Sequence, residues 1–266
     1  MRGFDTSGLN AALDPKLLAR IEDAGLNASA PAQQRWLDGW MLRYSPGKAK
    51  RARCVNALAM GFRPTAEKLA EAEALFASVA LPFIVRITPF TQPATLGTDL
   101  EKGGLLRFDD TRVMVLPKLS TRTPLSLRPD LPVRAIALEP FAQRVGTLRG
   151  SPLAQRQAHA QRLATAPVPF HAFEMREDEE LVACGQFALE ADLVGLYDVF
   201  TAQAARGRGL ATRLCQHLLV KALELGAETA YLQVDSENHA ARAVYAKLGF
   251  VDGYGYHYRT RDPSAA

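Results

Sequence analysis

Three cysteines in 266 residues, Cys54, Cys184 and Cys215, lie far apart in the sequence, which excludes a paired C-x-x-C metal site and a disulfide framework. They read as buried thiols. No apolar run reaches the roughly 18 residues that a bilayer span needs, so no membrane-crossing helix is expected. The opening Met1-Arg2-Gly3-Phe4-Asp5 puts an acid where a secretion signal needs its apolar stretch, and no small-residue cleavage site follows such a stretch. A cytoplasmic protein is the expectation. Neither sign of charge dominates: 32 Lys+Arg against 28 Asp+Glu leave a formal +4. With 48% hydrophobic and 23% charged residues the composition is that of a globular chain, not of a disordered, fibrous or coiled-coil one. The length suits two modest domains with buried cores.

The small net charge conceals an asymmetry. Residues 1–133 hold 18 Lys+Arg against 13 Asp+Glu, and residues 134–266 hold 14 against 15, so the basic excess lies in the first half. Lys48, Lys50, Arg51 and Arg53 supply much of it, and such a cluster permits an anionic partner. A solvated hairpin tip, whose charges keep a sheet edge from aggregating, is the simpler reading. No aromatic interleaving accompanies the cluster, so nucleic-acid binding is not expected.

The stretch 118–132, KLSTRTPLSLRPDLP, holds three prolines and almost no apolar periodicity. It reads as a connection between two units. The division expected is a first domain at 1–120, a linker at 121–132 and a second domain at 133–266. In the first, the pattern predicts a helix over 15–23, then a hairpin of strands 39–44 and 53–58 joined by Ser45-Pro46-Gly47. A helix after Thr65 ends before Pro82, and a strand at 83–88, a short helix at 94–102 and a final hairpin of strands 105–108 and 112–116 follow. In the second, a strand at 133–138 leads into helices within 139–163, then strands at 170–175, 181–190 and 193–201. A long amphipathic helix from Gly209 is closed by Gly226, and a strand at 230–234, a helix over 238–248 and a strand at 254–259 end the chain. The class is α/β, or α+β. Both units run strand, helix, strand, helix, strand, and an offset of 145 lays Lys102-Gly103-Gly104-Leu105 on Lys247-Leu248-Gly249-Phe250. A duplicated, diverged fold and two unrelated α/β units both account for this order.

Chemistry concentrates where Val199-Phe200-Thr201 end a strand and Arg206-Gly207-Arg208-Gly209-Leu210-Ala211 open the long helix. The first N–H groups of a helix lack intrahelical partners, and the helix dipole adds about half a positive charge there. Glycine lets a phosphate approach the backbone closely. A phosphorylated ligand is therefore expected. Neither GxGxxG nor GxxxxGK followed by Ser or Thr is present, because Thr212 stands where a third glycine is needed and no lysine follows.

The arrangement Arg206-x-x-Gly209-x-Ala211 instead resembles the R/Q-x-x-G-x-G/A pyrophosphate loop of the GNAT family of N-acetyltransferases. The run from Asn238 to Phe250 resembles that family's second signature, N-x-x-A-x-x-x-Y-x-K-x-G-F, through Asn238, Ala241, Tyr245, Lys247, Gly249 and Phe250. The resemblance extends over about 133–259. It implies a mixed, largely antiparallel sheet flanked by helices, preceded by a second, smaller GNAT-like α/β unit. It also implies an acetyl-coenzyme A site without metal. The backbone of Gly207, Arg208, Gly209, Leu210 and Ala211 would hold the pyrophosphate, with charge added by Arg206 and Arg208. For these two arginines, simple solvation at a helix start is the alternative. Val199, Phe200 and Thr201 would pair with the pantetheine arm like an added strand, where the flanking strands splay. Asn238 and Tyr245 are seven residues apart and share a helix face. Asn238 is also a good N-cap, a role compatible with pantetheine contact. Tyr245 matches the residue that protonates the departing thiolate in relatives, a plain core aromatic being the other reading.

The reaction implied is direct attack of a neutral amine on the acetyl carbonyl, with backbone N–H near Val199 or Phe200 facing the developing charge. The amine needs a base. Glu174, Glu190 and Asp198 are candidates on or beside the predicted strands, each also readable as ordinary surface charge. The run Glu177-Asp178-Glu179-Glu180 is a solvated hairpin tip or an attraction for a cationic substrate. His217, on an apolar helix face, reads as a satisfied core histidine. Cys184 has no histidine near it in sequence and is a poor nucleophile.

In the first unit the corresponding loop, Ala59-Met60-Gly61-Phe62-Arg63-Pro64, has one glycine and a proline without an N–H donor, and Leu100 stands where the offset of 145 places Tyr245. A degenerate half without cofactor is expected, walling the acceptor groove or making a pseudo-symmetric interface. The function expected is N-acetyl transfer from acetyl-coenzyme A to the amine of a small molecule or amino acid. Protein-lysine acetylation and a non-catalytic acyl-coenzyme A sensor are the alternatives. A homo-oligomer is left open.

Overall fold

The computed structural model describes residues 8–45, 49–120 and 131–266. The first seven residues, Pro46, Gly47, Lys48 and most of the expected linker lie outside the described residues. The first half builds α1 (Pro15–Ala28), β1 (Gln34–Leu37), β2 (Trp40–Arg43), β3 (Val55–Ala57), α2 (Thr65–Ser78), β4 (Val85–Ile87), α3 (Leu96–Lys102) and β5 (Leu106–Leu116). The second builds β6 (Val133–Ile136), α4 (Leu138–Leu148), α5 (Leu153–Ala164), β7 (Phe170–Glu177), β8 (Glu180–Glu190) and β9 (Leu193–Thr201). It ends with α6 (Leu210–Glu224), β10 (Thr229–Asp235), α7 (His239–Lys247) and β11 (Val251–Thr260).

Local chemistry sets these boundaries. Asp14 caps α1 by accepting from the Lys16 N–H at 2.9 Å, and Pro15 enters with its φ already fixed for a helix. Gly226, at φ +95°, turns the chain out of α6. Asp38-Gly39, both at positive φ, joins β1 to β2. Sequence reading missed β1 because Gln34, Arg35 and Trp36 lie exposed on an edge strand and show no apolar alternation.

Among the described residues, eleven strands form one sheet, in the order β1-β2-β3-β4-β11-β5-β10-β9-β8-β7-β6. The segment expected as a final hairpin is a single strand, β5, of 11 residues. Asp109-Asp110, which looks like a turn in sequence, is a bulge: Asp109 has φ +57°, and the partner strand β11 shifts register between Tyr256 and Tyr258 opposite it. β5 is paired on both edges, with β10 from Ala230↔Leu116 to Asp235↔Thr111 and with β11 on the other side. β11 in turn pairs with β4, as in His257↔Ile87. Each half's last strand therefore lies next to strands of the other half. The 145-residue offset carries Thr65 to Leu210 and Leu106 to Val251, the starts of α2 and α6 and of β5 and β11. The sheet order mirrors itself about the β11–β5 pair, which is what a duplicated fold gives.

Alternation along the strands separates two layers. Phe173, Met175 and Phe187 pack under α6 with Leu214 and Leu218. Ala172, Cys184 and Ala188 face α4 with Phe141 and Val145. In the first half Trp40, Leu42, Phe76 and Leu96 make a separate core. Within the first half, Arg86 of β4 forms an ion pair with Glu22 of α1, and the second half meets this pair: the Tyr254 hydroxyl donates to Glu22 Oε2 at 2.7 Å, and the Arg86 guanidinium lies 3.9 Å from the Tyr256 ring centre. Both charged groups are buried, so each depends on the other. Of the basic cluster, Lys50 and Arg51 fold inward instead of forming a solvated tip. Lys50 Nζ sits 3.1 Å from Asp109 Oδ2, and Arg51 donates to the Tyr256 hydroxyl at 3.1 Å.

Candidate functional site

At the start of α6 the chain crosses from β9 through a short turn (Gln203–Ala205) and then Arg206 to Gly209. Gly207 and Gly209 have φ +76° and +77°, and no side chain caps the helix. Among the described residues, the N–H groups from Gly207 to Thr212 have no acceptor. A Cβ at Gly207 or Gly209 would meet nothing within 4 Å, so the space over these donors is open. Such a row of donors at a helix start attracts an anion.

Next to this loop, β9 and β10 part. Their parallel ladder runs from Leu193↔Thr229 to Leu196↔Leu232 and stops, while β9 stays paired with β8 as far as Thr201. Val199, Phe200 and Thr201 thus lie on a strand with an unpaired edge. Just before them is a bulge: Gln186 faces Tyr197 and Cys184 faces Phe200, and Asp198 takes φ +51°. Asn238 caps α7 by accepting from the Ala241 N–H at 3.1 Å. Tyr245 lies on α7 edge-to-face with Phe250, ring centres 6.0 Å apart. Burial, with the Cys215 thiol of α6 nearby, pushes the Tyr245 phenol well above its ordinary value and keeps it protonated.

The two loop arginines differ. Arg206 Nε lies 3.4 Å from the Thr201 carbonyl, with its guanidinium 5.9 Å from the Phe200 ring. Arg208 donates to both Glu177 carboxylate oxygens, at 2.8 and 2.6 Å. The acidic run is thereby divided: Glu177 meets Arg208, and Asp178-Glu179 form a positive-φ turn at the tip of β7 and β8. Leu210 is buried, and Ala211 is half-buried.

Beyond β9, on the α4 and α5 side, lies a cavity of about 370 Å³. Both halves wall it: Ser45, Ala49 and Ala52 from the first, and Arg149, Arg156, His159, Arg162 and Asp198 among residues of the second. Of the three carboxylates considered as bases, only Asp198 lines it. Glu174 is tied to Arg144 and Arg176, and Glu190 accepts from Asn27 Nδ2 at 2.8 Å. Asp198 accepts from Arg149 Nη1 at 2.7 Å and Gln186 Nε2 at 2.6 Å, and His159 Nε2 is 3.2 Å away. Burial opposes its ionisation, but these partners outweigh it and hold the carboxyl far below the ordinary range. Sequence reading missed the α5 residues. Arg156-x-x-His159-x-x-Arg162 carries near-helical spacing, but nothing in it shows that α5 lies against β9.

At the corresponding place in the first half, the anion position is filled from within. Asp38 accepts from the Phe62 N–H at 2.9 Å and the Arg63 N–H at 2.8 Å, just ahead of α2. Lys68, fully buried above the Trp40 ring, backs this carboxylate at 3.4 Å. Among the described residues no helix is long and apolar enough to cross a membrane.

Residues 136–250 match the family model for acetyltransferases of the GNAT family. The chain is 27% identical over 241 residues to an uncharacterized N-acetyltransferase of Bacillus subtilis (strain 168), an alignment covering 88% of this chain and 95% of the relative. Among solved structures, an N-acetyltransferase of Kribbella flavida superposes with a TM-score of 0.65 at 16% identity over 92% of this chain and 95% of its own. A tandem GNAT protein of the clavulanic acid biosynthesis pathway superposes with a TM-score of 0.57 at 18% identity, over 73% and 69%.

Proposed function

Because residues 136–250 form a domain of the GNAT acetyltransferase family, we propose that the protein transfers an acetyl group from acetyl-coenzyme A to the amine of a small molecule. The observation that carries this is the open row of N–H donors at the start of α6 beside the unpaired edge of β9. The space left by Gly207 and Gly209 fits a pyrophosphate, and the edge from Val199 to Thr201 fits the amides of a pantetheine arm. Acetyl-coenzyme A supplies the thioester carbonyl.

The chain's own groups do the rest. Backbone N–H at Val199 or Phe200, bent outward after the Asp198 bulge, faces the carbonyl oxygen. Tyr245 holds a proton at Oη and gives it to the departing sulfur. Arg206, bound by no carboxylate among the described residues, adds charge at the pyrophosphate, while Arg208 first has to leave Glu177. Asn238 Oδ1 serves α7 as its cap and leaves its amide N–H₂ for the pantetheine arm. Attack forms the C–N bond and breaks the C–S bond, so the amine must lose a proton. Asp198, held so acidic, is a poor acceptor; the His159 imidazole that it orients takes this proton. The cavity has the size of a small-molecule site and is walled by both parts of the chain, 1–120 and 133–266. That enclosure favours a small acceptor over a protein lysine.

The test is release of coenzyme A, followed with a thiol reagent, over a panel of amino acids, polyamines and lysine peptides. Cys54, Cys184 and Cys215 are buried, and burial pushes their thiols up to about 11, 12 and 12, so the enzyme blank is small. Release with a small amine supports the proposal. Release with lysine peptides alone supports protein acetylation instead, and binding of acetyl-coenzyme A without release from any acceptor supports the sensor.

A further inference from the structure

The charges around the cavity do not balance. Arg149, Arg156 and Arg162 line it with His159, and Asp198 is the only carboxylate among the lining residues. Arg149 and His159 already engage Asp198. Among the described residues, neither Arg156 nor Arg162 has a carboxylate within ion-pair distance. Arg156 Nη1 donates to Thr147 Oγ1 at 2.8 Å, and its Nε is buried with no partner. Arg162 Nη1 donates to the Ala28 carbonyl at 3.2 Å. Burial, only partly offset by the Asp198 charge and aided by Arg51, pushes the Arg162 guanidinium below its ordinary value. Two guanidinium groups held partly out of water with neutral partners are costly to the folded chain, and an anion entering the cavity offsets that cost. The same field repels a polycation.

We propose that the acceptor is a small amine that also carries an oxyanion, a carboxylate or a phosphate, held by Arg156 and Arg162 while its amine lies toward Asp198 and His159. The inference rests on the acetyl-transfer reading of the neighbouring cleft. It makes α5 the specificity element: Arg156, His159 and Arg162, three residues apart, present anion-binding and proton-accepting groups along one side of the cavity. Arginine suits this role because its fork of donors matches both oxyanions.

The experiment uses the full chain and matched acceptors that differ in one charge: alanine, aspartate and glutamate against their amides, phosphoethanolamine against ethanolamine, with putrescine as the cationic control. Coenzyme A release gives kcat/KM, and calorimetric titration of the same compounds into coenzyme A-saturated protein gives affinity. The expected result is an oxyanion-bearing member that binds about tenfold or more tightly than its neutral twin. The carboxylate and phosphate arms tell which oxyanion it is. R156Q and R162Q should erase the preference through KM with acetyl-coenzyme A affinity unchanged, and R156K and R162K should restore part of it. Equal or tighter binding of the neutral or cationic compounds, or no binding by any oxyanion-bearing one, overturns the inference. Selective binding without coenzyme A release upholds the inference and instead refutes acetyl transfer.

Discussion

His257 on β11 is pushed down to about 4, mainly by burial and further by Arg107 close by. In the unfolded chain an imidazole titrates near 6.5. Between these values the unfolded state binds a proton that the folded state does not, so stability falls as pH drops from about 6.5 through 4. His171 and His217, both lowered by burial, act in the same sense. Urea melts at pH 7 and pH 5 should show H257Q losing less stability over that step than the wild type. Equal losses would contradict the burial argument. At this scale the sequence singled out Gly207, Gly209, Asn238 and Tyr245 as candidates, because each belongs to a short motif whose spacing carries its meaning. It did not disclose Arg149, Arg156, His159 or Arg162. Their significance arises only where α4 and α5 pack against the Asp198 bulge, a meeting of segments 39 to 49 residues apart, as in the Asp198 contacts to His159 and Arg149.

Two helix starts, α2 and α6, show what one element does with an anion. Ahead of α2, Asp38 supplies its own carboxylate to the Phe62 and Arg63 N–H groups; ahead of α6 the donors are left open. A proline at 64 and a single glycine made that difference legible in sequence, though the plug itself comes from the turn between β1 and β2, which was not. The open loop depends on left-handed glycines. G209V forces a β-branched residue into φ +77°, at a cost of about 1–3 kcal/mol, and sets its methyl groups where the anion sits. A lower Tm and an acetyl-coenzyme A affinity reduced tenfold or more are expected, by thermal melt and calorimetry; unchanged affinity would remove the loop from the binding site. Elements with strong periodicity, α6 and β7 to β9, were legible nearly to the residue. β5 was not, because Asp109-Asp110 carries the chemistry of a turn and only pairing on both edges makes it a bulged strand.

At the scale of the molecule, the sequence divides at its proline-rich stretch, yet the sheet runs through both parts. β10 and β11 are separated by β5, which comes from before that stretch. A fragment of residues 133–266 would expose one edge of β10 and both edges of β11, and unpaired edges recruit other chains. We expect this fragment alone to aggregate and co-expression with residues 1–120 to restore a soluble complex, measured by size-exclusion chromatography. A monodisperse, cooperatively melting 133–266 would contradict it. The same exchange of strands brings the first half's Ser45, Ala49 and Ala52 to the cavity, so a half without an open anion site still shapes its wall.

The central claim is that the cleft between α6, α7 and β9 performs acetyl transfer with Tyr245 as proton donor. Its most direct test is Y245F, which keeps the ring packed on Phe250 and removes only the hydroxyl. With the best acceptor from the panel, kcat should fall about 10²-fold or more while the acetyl-coenzyme A affinity stays at the wild-type value. An unchanged kcat in a folded Y245F protein would contradict the account.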